Sequence, residues 1–310
     1  MCIRVHPWLK MFSAIQKWGS FVRFSHTVFA LPFALAAMAV AARDNRGWPG
    51  WKICGLILAA MVCARTCAMA FNRIVDRKFD ALNPRTAKRH LPTGQISLAS
   101  AIALCALAAA GLIVASYFLN PLCFRLSPVA LVVICFYSLT KRFTDYTHVF
   151  LGISLALAPI GAWLAVKGSN ISPLEIAEML TLAGSVVLWL VGFDIIYALQ
   201  DYEFDRAHGL RSLVVAWGPK NALQAAFLAH MLMCGLLFVF GILCFRPRPV
   251  TYIVGWLLIV GCLVLEHWVA RRRSLNWINL AFFRLNAVVS AVFFVVTVAE
   301  VVFRGGFQMR

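Results

Sequence analysis

Residues 56–80 read LILAAMVCARTCAMAFNRIVDRKFD, and the join between the two halves of this stretch decides the fold. The first half is apolar enough to lie in a lipid bilayer, apart from Arg65. The second half sets Asn72, Asp76 and Asp80 four residues apart. Four residues advance an α-helix by about 400°, one turn and a small drift, so the three side chains form one stripe. Like charges at that spacing repel, and ionisable groups near a bilayer are costly and face polar cavities. A membrane helix that ends in such a stripe calls for a cationic partner at its mouth.

The rest of the chain extends the membrane half of this reading. Of its 310 residues, 62% are hydrophobic and 13% charged, against roughly 25% charged in a soluble domain, which excludes an ordinary cytosolic protein. A spanning helix needs about 20 mostly apolar residues, and helices satisfy their own backbone where there is no water. Nine candidate spans follow, near 25–42, 53–71, 97–119, 126–140, 148–166, 179–199, 221–244, 250–270 and 285–303. The expectation is an all-α membrane protein with about nine transmembrane helices. Residues 1–24 are read as an N-terminal interfacial segment, 25–303 as one transmembrane domain and 304–310 as a short C-terminal tail. In the first of these, Trp8, Phe12 and Ile15 share a helical face, with Lys10 and Lys17 on another side; such a helix lies along a membrane surface.

The net charge of +17 is not a nucleic-acid signal, because the basic residues sit in alternate loops. With the N-terminus inside, the inner segments hold about twice as many as the outer ones, in accord with the positive-inside rule. The lipid bilayer is therefore the expected partner and no nucleic acid is. The ten cysteines are scattered, without a Cys-x-x-Cys pair. They read as small apolar residues of buried helices, and nothing suggests a disulfide framework.

Half of the twelve acidic residues lie in two places. One is the stripe above, which ends on Asp76 and Asp80. The other is DIIYALQDYEFDRAHGLRS, residues 194–212, with Asp194, Asp201, Glu203 and Asp205. Asp194, Tyr197, Asp201 and Asp205 share one helical face, since steps of three, four and seven do so. Both stripes open on the inner side by the topology above. Basic residues crowd them: Arg73, Arg77, Lys78, Arg85 and Arg89 after the first, Lys141 and Arg142 in the next inner loop, Arg211 after the second. Hard divalent cations such as Mg²⁺ suit carboxylate oxygens and also bind substrate phosphates. Two acidic stripes interleaved with cations thus point to a metal-bridged diphosphate. Two other readings compete: solvated loop ends that pair with one another, and a transporter lined by charge. Against the transporter, the acidic residues gather at one mouth and not near the midplane.

These motifs resemble those of the UbiA superfamily of intramembrane prenyltransferases. That family carries Asn-Asp-x-x-Asp-x-x-x-Asp after its second span and an aspartate-rich motif after its sixth; here they read NRIVDRKFD and DIIYALQDYEFD. ARTCAMAFN, NPRTAKRHLPTGQIS, YSLTKRFT and HGLRSL are similar to further family stretches. The resemblance covers residues 21 to 300. It implies nine helices around a central cavity, with both motifs at a cytosolic mouth. It also implies Mg²⁺-dependent transfer of a chain from a polyprenyl diphosphate to an aromatic acceptor. The chain looks most like the group that prenylates 4-hydroxybenzoate in ubiquinone-type quinone synthesis. Arg73 stands where many members have aspartate, and the opening VRFSHTVFALPFAL resembles the futalosine-route menaquinone branch, whose acceptor is a dihydroxynaphthoate. The implied location is a bacterial inner membrane, with the N-terminus and the mouth cytoplasmic.

Chemistry assigns the roles. Asp76, Asp80, Asp201 and Asp205, assisted by Asn72, hold Mg²⁺, and Asp76 and Asp201 are indispensable to turnover. Arg85, Arg89, Lys141, Arg142 and Arg211 grip phosphate oxygens, joined by Arg23. Arg65, deeper than the stripe, binds the carboxylate of the aromatic acceptor or orients its ring. Asp194 polarises the ring hydroxyl or takes the ring proton, with Tyr197 beside it. The prenyl tail calls for an apolar groove open to lipid, which Trp163, Trp189 and Phe193 are placed to line, although aromatic residues in spans more often serve as packing and these are read so. His26, His148, His208, His230 and His267 share no metal spacing; of these, only His26 and His208 are candidates for a functional role.

Overall fold

The computed structural model describes residues 16–23, 27–247, 249–271 and 280–304, and these contain helices and turns but no strand. Residues 16–21 are helical; Trp8, Phe12, Ile15 and His26 lie outside the described residues, as does the tail beyond Arg304. Among the described residues nine apolar helices and one short polar one follow. α1 is Thr27–Ala41, α2 Trp51–Leu82, α3 Leu98–Leu119 and α4 Pro121–Phe136. α5 is Thr147–Lys167 and α6 Pro173–Ala198. The short α7, Tyr202–Ala207, leads to α8 Leu213–Cys244, α9 Val250–Ala270 and α10 Asn286–Arg304. Eight helical stretches are long and apolar enough to cross a membrane; α1 has the apolar character but only 15 residues. The chain is a multi-pass membrane protein.

The boundaries differ from the expected spans where local chemistry acts. α4 begins at Pro121 and not near 126, because the Asn120 side chain accepts a hydrogen bond from the Cys123 backbone N–H and Pro121 opens the first turn. Proline suits that position, where its missing N–H has no partner to lose. α8 starts at Leu213, and Gly218 (φ +77°) followed by Pro219 kinks it. α2 does not stop near residue 71 but continues to Leu82. At 1.5 Å per residue its 32 residues span about 48 Å, well beyond a hydrocarbon core of about 30 Å. Its last turns therefore carry the Asn72–Asp80 stripe to the mouth.

α1 is the axle of the bundle. Phe33, Ala34, Ala36, Ala37 and Val40 are fully buried, and the alanines let α5 and α10 approach it closely. Phe33 stacks on Phe293 and tilts against Trp189. Trp163 and Trp189 are buried in this core, as packing residues. α5 meets α6 still more tightly: a Cβ at Gly152 would lie 2.8 Å from the Val187 carbonyl oxygen. Gly152→Val is expected to force the pair apart and cost about 1–3 kcal/mol, as overpacking does; a lower unfolding midpoint in detergent is the check.

At the end of the bundle remote from the stripes, Arg43 pairs with Glu178 at 2.9 Å, and Lys167 joins Asp44 at 3.1 Å and Glu175 at 2.9 Å. These pairs tie together the ends of α1, α5 and α6.

Candidate active site

At the opposite end, α2, the turn after α4, and α6–α7 enclose a cavity of about 260 Å³. The two carboxylate stripes face each other across it. α2 supplies Arg65, Asn72, Arg73, Asp76 and Asp80, and the loop after it supplies Asn83, Arg85 and Arg89. The 3-10 turn Tyr137–Arg142 adds Tyr137, Lys141 and Arg142. Asp194 and Tyr197 come from α6, Asp201 from the 3-10 turn Leu199–Asp201, and Asp205 from α7. The second stripe is thus not carried by one unbroken helix.

Asp76, Asp80, Asp201 and Asp205 each hold a cation. Asp201 accepts from Arg85 Nε at 2.9 Å and also from Arg85 Nη2, and Asn83 Nδ2 donates to it at 3.1 Å. Arg85 reaches the Tyr197 hydroxyl as well, at 2.9 Å. Burial alone would lower the Arg85 guanidinium, but Asp201 and Tyr197 outweigh that and hold it above its ordinary value. Asp80 lies 2.5 Å from Arg89 Nη1 and 3.9 Å from Arg73 Nη1. Asp76 takes Arg142 at 3.3 Å and the Asn72 amide at 3.0 Å, and Asp205 takes Lys141 at 3.4 Å. Asn83 shapes the loop: it caps α2, and its side-chain oxygen accepts the Arg85 backbone N–H at 2.9 Å.

Seven basic side chains and five aspartates line the cavity, a net charge of +2. The excess suits an anion. Among the described residues, no three His, Cys, Asp or Glu side chains converge into a closed metal site. Two facing banks of carboxylates fit a cation that keeps waters and takes its remaining ligands from substrate phosphates, as Mg²⁺ does. Asp80 Oδ2, buried with no hydrogen-bond partner, is a hard oxygen donor of the kind such an ion takes.

Thirteen of the fourteen side chains singled out in the sequence line this cavity, Arg23 among them. Arg23 turns the chain with a left-handed backbone, φ +47°, sparsely populated by residues with a Cβ and found where surrounding structure enforces it. Arg211 is the exception. It is exposed, its backbone N–H donates to the Lys141 carbonyl at 2.8 Å and its Nη1 to the Phe143 carbonyl at 2.9 Å. It therefore anchors the Lys141–Arg142 turn from outside and does not reach the cavity. Phe193, read as packing, lines the cavity.

Three residues escaped the sequence reading. Arg73, counted among the basic residues around the first stripe but given no role, is a buried cavity cation. Asn83 holds Asp201. His148 is fully buried, with Nδ1 2.6 Å from Asp194 Oδ2. Of the two histidines favoured over it, His208 is exposed and stacks on Phe204. His90, in the loop after α2, sits 3.0 Å from the Ser20 hydroxyl; burial, then the charges of Arg73 and Lys17, keep it below its usual value.

Arg65 stands between two chambers. It lines the polar cavity and also a second one of about 270 Å³ between α2, α3, α4 and α5, walled by Met61, Leu112, Leu126, Ile134 and Leu157 among others. Tyr137 and Leu155 are likewise shared. Arg65 Nε is buried and has no hydrogen-bond partner.

A charged mouth over an apolar chamber suits a substrate with an anionic head and a lipid tail. Residues 30–288 match the UbiA prenyltransferase family, and the chain belongs to that family. A curated relative, 4-hydroxybenzoate octaprenyltransferase from Tolumonas auensis, is 27% identical over 250 residues, covering 80% of this chain and 84% of the relative. The apo structure of a UbiA homolog from Aeropyrum pernix superposes with a TM-score of 0.78 at 32% identity, covering 89% of this chain and 98% of that one. A UbiA homolog from Archaeoglobus fulgidus bound to GPP and Mg²⁺ has a TM-score of 0.67 at 22% identity, over 91% and 99%; it shares the fold. The protein is a prenyltransferase.

Proposed function

We propose that this chain transfers a polyprenyl group from its diphosphate to an aromatic carboxylate, 4-hydroxybenzoate, in respiratory quinone synthesis. It does so at the cytoplasmic face of a bacterial inner membrane. The observation that carries this reading is the contact of the two chambers at Arg65. The diphosphate lies among Arg73, Arg85, Arg89, Lys141 and Arg142, the prenyl tail lies in the apolar chamber, and C1 falls where they meet.

Asp76, Asp80, Asp201 and Asp205, with Asn72, would hold Mg²⁺, which when bound neutralises the diphosphate and favours its departure. The basic side chains then turn from the aspartates to phosphate oxygens and stabilise the charge that builds as the C1–O bond breaks, as preorganised donors do. Arg65 pairs with the acceptor carboxylate and sets its ring carbon against C1. The new carbon–carbon bond forms with the ring's electrons, diphosphate leaves with those of C1–O, and the ring proton passes to Asp194. The walls keep water from the allylic cation.

The test is a transfer assay on membranes that contain the protein, with 4-hydroxybenzoate and 1,4-dihydroxy-6-naphthoate offered in parallel. Prenylated benzoate is the expected product. Prenylated naphthoate alone would assign the chain to menaquinone synthesis, and product from neither would contradict an aromatic acceptor of this kind.

The apolar chamber makes a separate prediction. Ala130 lines it, and Ala130→Trp fills it. Selectivity, the ratio of kcat/KM for a long prenyl diphosphate to that for a five-carbon one, is expected to fall ~10-fold or more. Initial rates with the two donors measure it.

A further inference from the structure

We infer that His148 is a positioning residue for the transfer reaction, holding Asp194 so that one carboxylate oxygen meets the acceptor. The inference rests on the proton-accepting role proposed for Asp194. His148 belongs to the first turn of α5 and has no exposed surface. Burying an imidazole is costly unless it is hydrogen-bonded, and its bond is the one to Asp194 Oδ2, at 2.6 Å. With Asp194 ionised the hydrogen must sit on Nδ1, since two lone pairs at that distance repel. His148 Nε2 is buried without a partner, so the ring is oriented for Asp194 alone.

The surroundings fix the pair. Gly152, one turn after His148, lies against the Val187 backbone, two turns before Asp194, which brings α5 and α6 together along this face. Thr147, beside His148, shares a 2.7 Å hydroxyl contact with Thr140, tying α5 to the turn that carries Lys141. Asp194 meets the cavity and His148 does not line it. With Oδ2 held from behind, Oδ1 is the oxygen left for the ring proton. That proton moves from the ring carbon to Oδ1 as the C–H electrons restore aromaticity, and it later passes to water with the products.

The test compares H148L, H148N and D194N with wild type, in steady state and with ring-deuterated acceptor. Asn keeps an N–H donor near the place of Nδ1; Leu has none. H148L is expected to lose at least tenfold in kcat, keep its KM for the prenyl diphosphate within twofold, and show a larger deuterium isotope effect than wild type. H148N is expected to recover most of kcat. If H148L does not fold, H148M, whose side chain adapts to buried sites, takes its place. Wild-type kcat in H148L beside an inactive D194N overturns the inference, as does equal impairment of H148L and H148N with an unchanged isotope effect. Wild-type turnover in D194N instead overturns the role of Asp194 itself.

Discussion

Asp201→Ala is expected to lower turnover by about 10²- to 10³-fold, the scale on which removing one preorganised charge-stabilising group acts. Asp201 is the hub of the mouth: it accepts from both Arg85 nitrogens and from Asn83, and so joins the loop after α2 to the end of α6. Alanine removes a proposed metal ligand and also leaves Arg85 with Tyr197 as its remaining side-chain partner. A purely structural role predicts something different. In that case the damage appears as a lowered unfolding midpoint, and removing the stranded cation in R85A/D201A restores it. The metal-ligand role predicts that D201A inserts and unfolds near the wild-type midpoint, and that R85A/D201A is no more active than D201A. Asp76→Ala is expected to behave alike, since Asp76 faces Asp201 across the cavity with Arg142 and Asn72 as its partners. Product formation in membranes and thermal unfolding in detergent measure both.

Arg65→Ala is expected to raise the acceptor KM by ~10- to 100-fold, the worth of a hydrogen bond to a charged group, with little change in the KM for the prenyl diphosphate. The other cavity cations Arg85, Arg89, Lys141 and Arg142 each pair with an aspartate, whereas Arg65 Nε is buried and unpartnered where the polar and apolar chambers meet. In the proposed reaction a carboxylate on the incoming ring answers that donor. Arg65→Lys keeps the charge but not the planar fork and is expected to fall between wild type and alanine. Equal acceptor KM values in wild type and R65A contradict this role.

Much of this was legible in the sequence, for definable reasons. Apolar runs mark the spans because lipid demands them, and a four-residue period survives translation into a helical stripe, so Asn72, Asp76 and Asp80 were placed together correctly. Asp201 and Asp205 reached the same cavity although a 3-10 turn breaks their helix, because the chain keeps its direction through it. Arg211 was misplaced because nothing in HGLRSL shows which way a loop turns, and its two carbonyl acceptors are nearly 70 residues away. His148 was passed over because its partner lies 46 residues away, beyond any local spacing rule. The rival reading in which the loop charges pair with one another proved right about contacts: Asp76, Asp80, Asp201 and Asp205 are all ion-paired. Those pairs are nonetheless not scattered loop ends, because they line one cavity. An apolar groove was expected but its walls were not legible, since the alanines and leucines that line the chamber read like those that face lipid.

The facing carboxylates and cations are proposed to form a prenyl diphosphate site that works with a divalent ion. Thermal unfolding of the purified protein with an unreactive prenyl thiodiphosphate tests it most directly, because no acceptor is involved. Such a site gives a raised midpoint with Mg²⁺ and the analogue together, no such rise with EDTA, and none in D76A. A rise that is the same with and without Mg²⁺, or no rise at saturating analogue, would contradict it.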